Sequence, residues 1–424
     1  MQERKFCLPS HDMPLSNYAH FNSAAWIALS VLWIAAFFLY QRKVRKVVSA
    51  RAALFIFGTL SLAATLWGPD FSNDLLRYAW DGRVASVGVS PYAFPPAATA
   101  LASAAVVSDS ISLPADLSYK ELPTIYPPGS QLLFEVMWRC TQSVRWFHFG
   151  LSALAIAGGL LVLWGFPPHQ RGYALAALTC PTILIHGFGY AHTDIFMSLF
   201  ALAAVLFAQR NALVPSAMSL GMAIATKYLP LVLLPEFLRR KNIRSGLLFS
   251  VVCAATVAVL YAPYLGGNVL GSLGVFAATW QSNSALYSLL MNVVAPETAR
   301  YIMAGMGLAG CATVWYVFRA TPWCGTVAAI LTLLLCSPVV HPWYLALPIT
   351  LIPFAPLRST MVWAATISVY GIAYENYKGN GVWTDHPVAL AVEFLPVVVA
   401  LAIDLRRGPL LLNDEHGARL RTTA

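Results

Sequence analysis

The chain has 424 residues, 58% of them hydrophobic and 11% charged, with mean hydropathy +0.65 and a formal net charge of +9. Soluble domains carry roughly 25% charged residues, so an ordinary soluble fold is excluded. Long apolar runs such as "SAAWIALSVLWIAAFFLY" (23–40) also exclude a transmembrane barrel, which alternates polarity over segments of about ten residues. The class is an all-α polytopic membrane protein.

In chain order, the first predicted span is 22–40. It is followed by "QRKVRKVVSAR" (41–51), whose five basic residues place it in the cytoplasm by the positive-inside rule. The second span, 52–67, returns to the far side and delivers "GPDFSNDLLRYAWDGR" (68–83) there. A long, more polar loop runs to about 128 and carries short amphipathic helices and the Pro-rich pieces "SPYAFPP" and "IYPPGS". Further spans are predicted near 147–166, 172–188, 192–209, 212–226, 228–238, 245–264, 301–319, 325–340, 343–357, 360–374 and 387–405. Segments 129–143, which carries Glu135 and Arg139, and 285–296 are ambiguous, so the expectation is 12–14 spans. Residues 1–405 form one membrane domain with a loop of interest at 68–128, and 406–424 form a short cytoplasmic tail. The start "MQERKFCLPSHDM" lacks the apolar core of a cleavable signal peptide.

The remaining basic clusters, at 239–244, Arg319, Arg358 and 404–408, fall on the side of 41–51. On that parity "GYAHTD", "ATKYLP", "SPVVHPWY" and "ENYKGNGVWTDHP" share the compartment of the 68–128 loop. Such a charge distribution is a topology signal and does not point to nucleic acid. No internal repeat is visible, which argues against duplicated transporter folds. The seven cysteines show no CxxC spacing and read as packing residues.

Four motifs carry chemistry. In 72–83, Ser72 or Asn73 is suited to cap a helix and Gly82 to end it. Asp74, Arg77, Tyr78 and Asp81 then share one helix face. Spacing alone allows a solvated helix laced by Asp74–Arg77–Asp81 ion pairs, or a carboxylate tuned by arginines as a general base. Lys227 lies inside the apolar run "GMAIATKYLPLVLLP", where a charge is costly, and Pro230 breaks the helix beyond it. It either snorkels to the interface or binds an anion. His192 and Asp194, in "YAHTD", suit a helix start; two ligand-type residues are too few to specify a metal. His341, in "VVHPWYLAL", sits at a Pro-interrupted span beside Trp343 and Tyr344, which suit an aromatic belt.

Taken together, "DLLRYAWDGRVASVGVSPYAFPP", "LPTIYPPGSQLLFE", "GYAHTDIFMSLF", "ATKYLPLVLLP" and "SPVVHPWYLALP" resemble GT-C glycosyltransferases. The closest likeness is to bacterial polyprenyl-phosphate-mannose-dependent mannosyltransferases and glycosyltransferase family 87, over about 60–405. The resemblance implies a GT-C-like bundle that moves a monosaccharide, mannose by preference, from a polyprenyl phosphate to a glycan or glycolipid hydroxyl with inversion. It implies Asp74 as base, with Asp81 the rival, and Arg77, Asp81, Arg83, Lys227 and His341 around the donor phosphate or supporting the site. Tyr78, Tyr126, His192, Asp194, Tyr228, Trp343 and Tyr344 would line it, and Pro127 and Pro128 would shape the loop; apart from the resemblance, Glu375, Asp385 and His386 lie on the last outer loop, within reach of an acceptor, with no specific motif. No metal or other cofactor is implied. The setting is a plasma (inner) membrane, with the site facing the periplasm or exterior and the bilayer as partner. A transporter or flippase of lipid-linked sugar, or a protein O-mannosyltransferase, is the alternative.

Overall fold

The computed structural model describes residues 23–41, 48–67, 72–239, 241–374 and 384–410. Helices dominate these residues, and the one sheet among them is a hairpin of β1 (Val106–Ser108) and β2 (Ile111–Leu113) within the 68–128 loop. Glu375 and the tail beyond residue 410 lie outside the described residues.

After α1 (Ser23–Leu39) and α2 (Ala50–Trp67), α3 (Asn73–Ser86) opens the long loop. The chain re-enters helix at α4 (Pro128–Thr141), α5 (Val144–Gly165) and α6 (Pro168–Leu178), and a seven-residue π-helix (Ile183–Gly189) leads to α7 (Asp194–Gln209) and α8 (Leu213–Thr226). A 3₁₀ turn (Leu229–Leu233), α9 (Leu234–Leu238) and α10 (Ile243–Tyr261) follow, then the short α11 (Gly271–Thr279) and α12 (Ala285–Leu290). The last part comprises α13 (Pro296–Val317), α14 (Pro322–Leu335), α15 (Ala346–Thr350), α16 (Arg358–Thr366) and α17 (Pro387–Arg407). Proline opens α4, α6, α13, α14 and α17, where its missing N–H costs nothing.

Among the described residues, four helices are long and apolar enough to cross a membrane alone: α2, α5, the α10 segment extended to Tyr264, and α17. Five shorter apolar helical segments accompany them. The expected span 172–188 is instead a bent pair, α6 and the π-helix, with a 76° break. Segment 343–357 is likewise broken, into a 3₁₀ turn (Pro342–Leu345) and the five-residue α15. Pro342 and Pro348 lie in that stretch and remove backbone donors. The ambiguous 129–143 is resolved as α4. Its 14 residues reach about 21 Å at 1.5 Å each, short of a bilayer core of about 30 Å, and it exposes an Arg139–Glu135 ion pair at 2.8 Å.

Helices α7 and α8 pack together, as do α3 and α4, α13 and α14, and α16 and α17. One continuous core runs from Trp26 on α1 to Val397 on α17. The α3–α4 pairing departs from the expectation that Gly82 ends α3. The helix continues to Ser86, and Gly82 is where α4 comes closest: a Cβ there would collide with the Phe134 carbonyl. The glycine serves close approach, not termination.

Candidate active site

Each site residue is presented where a helix starts, ends or breaks. At α3, Ser72 is the cap, its hydroxyl accepting from the Leu75 N–H at 3.1 Å. Asp74 therefore stands in the first helical turn, where exposed N–H groups favour an anion. At the other side of the site, the π-helix closes with the Tyr190 N–H donating to the Ile185 carbonyl at 2.8 Å. Ala191 then takes a left-handed conformation (φ 53°), and the His192 N–H donates back to the His186 carbonyl at 3.0 Å. This turn sets His192 and Asp194 at the start of α7. Lys227 follows α8 in extended conformation (φ −153°, ψ 149°), so its side chain leaves the helix end freely. His341 is extended as well, directly ahead of Pro342.

These four segments meet. His192 Nδ1 lies 3.3 Å from Asp74 Oδ2. Lys227 Nζ donates to Asp194 Oδ2 at 2.6 Å and stands 5.1 Å from the centre of the Tyr344 ring, a cation–π distance. Trp343 stacks on two imidazoles, His192 at 3.9 Å and His341 at 4.6 Å. His341 Nδ1 is 3.1 Å from the Tyr370 hydroxyl.

Exposure differs sharply between the two acids. Asp194 is buried, with 2% of its side chain exposed, and is occupied by Lys227. Asp74 keeps 33% of its side chain open although protein surrounds it closely. Burial pushes the Asp74 carboxyl up, but the His192 contact and the positive field of Lys227 and His341 outweigh it and hold the group below its ordinary 3.8. Asp74 is therefore an ionised, accessible carboxylate in the field of the Lys227 ammonium.

A second layer braces α3 from behind. Arg77 Nε donates to Asp81 Oδ1 at 2.9 Å, and its Nη2 donates to the Leu122 carbonyl at 3.0 Å. Gln131 Nε2 bridges Asp81 Oδ2 at 3.1 Å and the Thr124 hydroxyl at 2.8 Å. Tyr78, fully buried, stacks on Phe134 at 4.5 Å and meets Tyr126 edge-on at 4.8 Å. These contacts bind the loop around Tyr126 to α3 and α4.

The structure thus brings together Asp74, His192, Asp194, Lys227, His341, Trp343 and Tyr344. Arg77 and Asp81 pair with each other in the layer behind, and Asp81 is 1% exposed. The suggested Asp74–Arg77–Asp81 ladder is not formed as such, because Asp74 turns to His192. Arg83 donates to the Ala104 carbonyl at 3.2 Å, away from this cluster. Tyr228 accepts from the Tyr261 hydroxyl at 3.2 Å, and Asp385 accepts from the Asn283 N–H at 2.9 Å. Among the described residues, no three His, Cys, Asp or Glu side chains are grouped to hold a metal ion.

Two participants escaped sequence reasoning. Tyr370 lacked any local signal. His186 had one, being an ionisable residue in the apolar run "ILIHGFG". It is 5% exposed, packs 5.5 Å from Trp343 and 5.9 Å from His192, and neither ring nitrogen has a hydrogen-bond partner among the described residues. Beside it lies a small cavity lined by His186, His192, Asp194 and Trp343 among others.

Comparison with known proteins gives one family. A family model described as alpha-(1->6)-mannopyranosyltransferase, N-terminal domain (MptA_B family), matches residues 11–239, a stretch that includes Asp74, His192, Asp194 and Lys227. No curated protein matches the chain.

Proposed function

The chain belongs to this alpha-(1->6)-mannopyranosyltransferase family, which is of the GT-C type, and on that premise we propose that it transfers one mannose from a polyprenyl-phosphate donor to a glycan or glycolipid hydroxyl, with Asp74 as general base. Membership makes the chain a glycosyltransferase and sets the transporter reading aside. The donor, the acceptor, the base and the membrane face belong to the proposal.

The observation that carries it is the contrast between three carboxylates. Asp81 is consumed by Arg77 and Gln131, Asp194 by Lys227, and Asp74 alone of the three is both ionised and open. In the reaction, Asp74 takes the proton of the acceptor hydroxyl as its oxygen attacks the anomeric carbon. The bond from that carbon to the phosphate oxygen breaks, and its electron pair leaves with the lipid phosphate. Attack opposite the leaving group inverts the centre, so a β-linked donor yields the α-linkage in the family's name. The departing phosphate gains negative charge, which the Lys227 ammonium meets, with the neutral His341 imidazole in the same cluster as a hydrogen-bond donor. No metal is invoked for this step. His192 and Trp343 form the walls: the imidazole lies 3.3 Å from the carboxylate, and the indole stacks on both His192 and His341.

The lipid part of the donor fits a protein whose described helices include four able to cross a bilayer, with Asp74 seven residues beyond the end of one of them, α2. We take the site to face away from the cytoplasm, on the plasma membrane's outer side, a reading supported by the basic clusters at 41–51, 239–244 and 404–408. The test is to incubate membranes containing the protein with a panel of polyprenyl-phosphate sugars and glycan, glycolipid and protein acceptors, and to identify products by mass spectrometry and linkage analysis. The expected product is an α-mannosylated glycan or glycolipid from the mannosyl donor. A product from nucleotide-linked mannose alone would overturn the donor, and a mannosylated protein alone would overturn the acceptor.

A further inference from the structure

The last helix carries an acid that the catalytic cluster does not use. Glu393 lies about 9 Å along α17 from Pro387 at 1.5 Å per residue, in one of the four helices able to cross a membrane, and is 1% exposed. A carboxylate in such a helix is costly and turns inward to partners. Its partners are specific. Glu393 Oε1 accepts from the Trp363 indole N–H at 3.0 Å, and both carboxylate oxygens accept from the Asn283 amide, at 3.1 and 3.2 Å. Three donor contacts converge on two acceptor oxygens, which a carboxylate supplies and a neutral amide does not.

Asn283 is held at a second point. Its backbone N–H donates to Asp385 Oδ1 at 2.9 Å, and its φ of 50° is the left-handed conformation that asparagine tolerates better than most residues. The residue before it makes the link to the site. The Ser282 N–H donates to the Pro338 carbonyl at 3.1 Å, and the Val340 N–H donates to the Ser282 carbonyl at 2.9 Å. This short parallel bridge ends one residue before His341, whose ring is held by Trp343 and Tyr370. A continuous chain of hydrogen bonds and adjacent residues thus runs from Glu393 through Asn283, Ser282 and Val340 to His341.

We propose that Glu393 is a positioning residue for the transfer reaction: its carboxylate locks Asn283, and through the 282–340 bridge it fixes the backbone that presents His341 to the donor phosphate. The part concerning the phosphate rests on the function proposed above; the mechanical part stands on the hydrogen bonds alone. Trp363, donating to the same carboxylate, ties the clamp to α16. The last helix therefore contributes to a site from which all its own residues are absent.

The test uses the full-length protein in detergent or nanodiscs and two independent readouts. Hydrogen exchange of the peptide covering 338–341 reads the backbone, and steady-state transfer reads the site. In Glu393→Gln, exchange at 338–341 quickens, and KM for the polyprenyl-phosphate donor rises about tenfold while acceptor KM stays within about twofold. In a His341→Ala background the same substitution adds no further rise in donor KM. Combining Glu393→Gln with Asn283→Asp exchanges amide and carboxylate, keeps an acceptor for Trp363, and restores both exchange and donor KM. Unchanged exchange at 338–341 in Glu393→Gln overturns the clamp, as does failure of the exchanged pair to restore it. If exchange responds as expected but His341→Ala leaves donor KM unaltered, the clamp stands and the role given to His341 falls.

Discussion

Lys227 and Asp194 allow stability and catalysis to be separated. Lys227→Met removes the ammonium 2.6 Å from Asp194 and leaves a carboxylate of which 2% is exposed without that partner. Breaking a buried pair from one side costs about 3–5 kcal/mol, because the remaining charge is stranded away from water. The opposite change is milder: in Asp194→Asn the ammonium is 20% exposed and retains the Tyr344 ring, so a loss of about 1–2 kcal/mol is expected. The double variant Lys227→Met/Asp194→Asn has no stranded charge and returns to within about 1 kcal/mol of the wild type, as buried pairs replaced on both sides do. Thermal inactivation in one detergent reads these differences. Transfer assays on the same samples separate function from fold: the double variant stays about 10²-fold or more below wild type, since no ammonium meets the leaving phosphate. Wild-type stability in Lys227→Met would refute the energetic argument, and wild-type transfer in the double variant would refute the phosphate role.

Two further outcomes follow from single positions. The Asp74 carboxyl titrates below its ordinary 3.8, so its stabilising interactions are complete above the unfolded value and are lost as pH falls through the lower folded one. The acid limb that Asp74 imposes on kcat/KM accordingly lies below pH 3.8, and a limb near about pH 5 that moves in Asp74→Glu would contradict this reading. Gly82→Ala should destabilise by about 1–3 kcal/mol despite alanine's better helix propensity, because its methyl meets the Phe134 carbonyl; a stabilised variant in thermal inactivation would show that α4 yields easily.

Much of the site was legible because its residues break the rules of their surroundings. Asp74 and Lys227 stand out as charges next to apolar runs, and His341 as a histidine at a Pro-interrupted span. The basic clusters suggested that these motifs share one side. What sequence could not supply was the pairing. Helical spacing makes Asp74, Arg77 and Asp81 neighbours, yet the structure gives Arg77 to Asp81 and Asp74 to His192, more than a hundred residues away. Arg83 shares a motif with Asp81 but reaches the Ala104 carbonyl, since side chains two apart on a helix point apart. The broken helices were also hidden. Residues 172–188 read as one apolar span, and hydropathy contains no trace of the π-helix that turns His192 toward Asp74. Glu393 has a visible signal, an acid in an apolar helix, but its partner Asn283 is 110 residues distant and carries none.

The central claim is that Asp74 is the base of a lipid-phosphate-dependent mannosyl transfer. Its most direct test is the single-turnover transfer rate of Asp74→Asn beside Asp81→Asn, in membranes supplied with polyprenyl-phosphate mannose and acceptor. The account predicts a loss of about 10²–10⁴-fold for Asp74→Asn with the protein still folded, and for Asp81→Asn a smaller loss that accompanies lowered stability. Transfer at the wild-type rate by Asp74→Asn would contradict it.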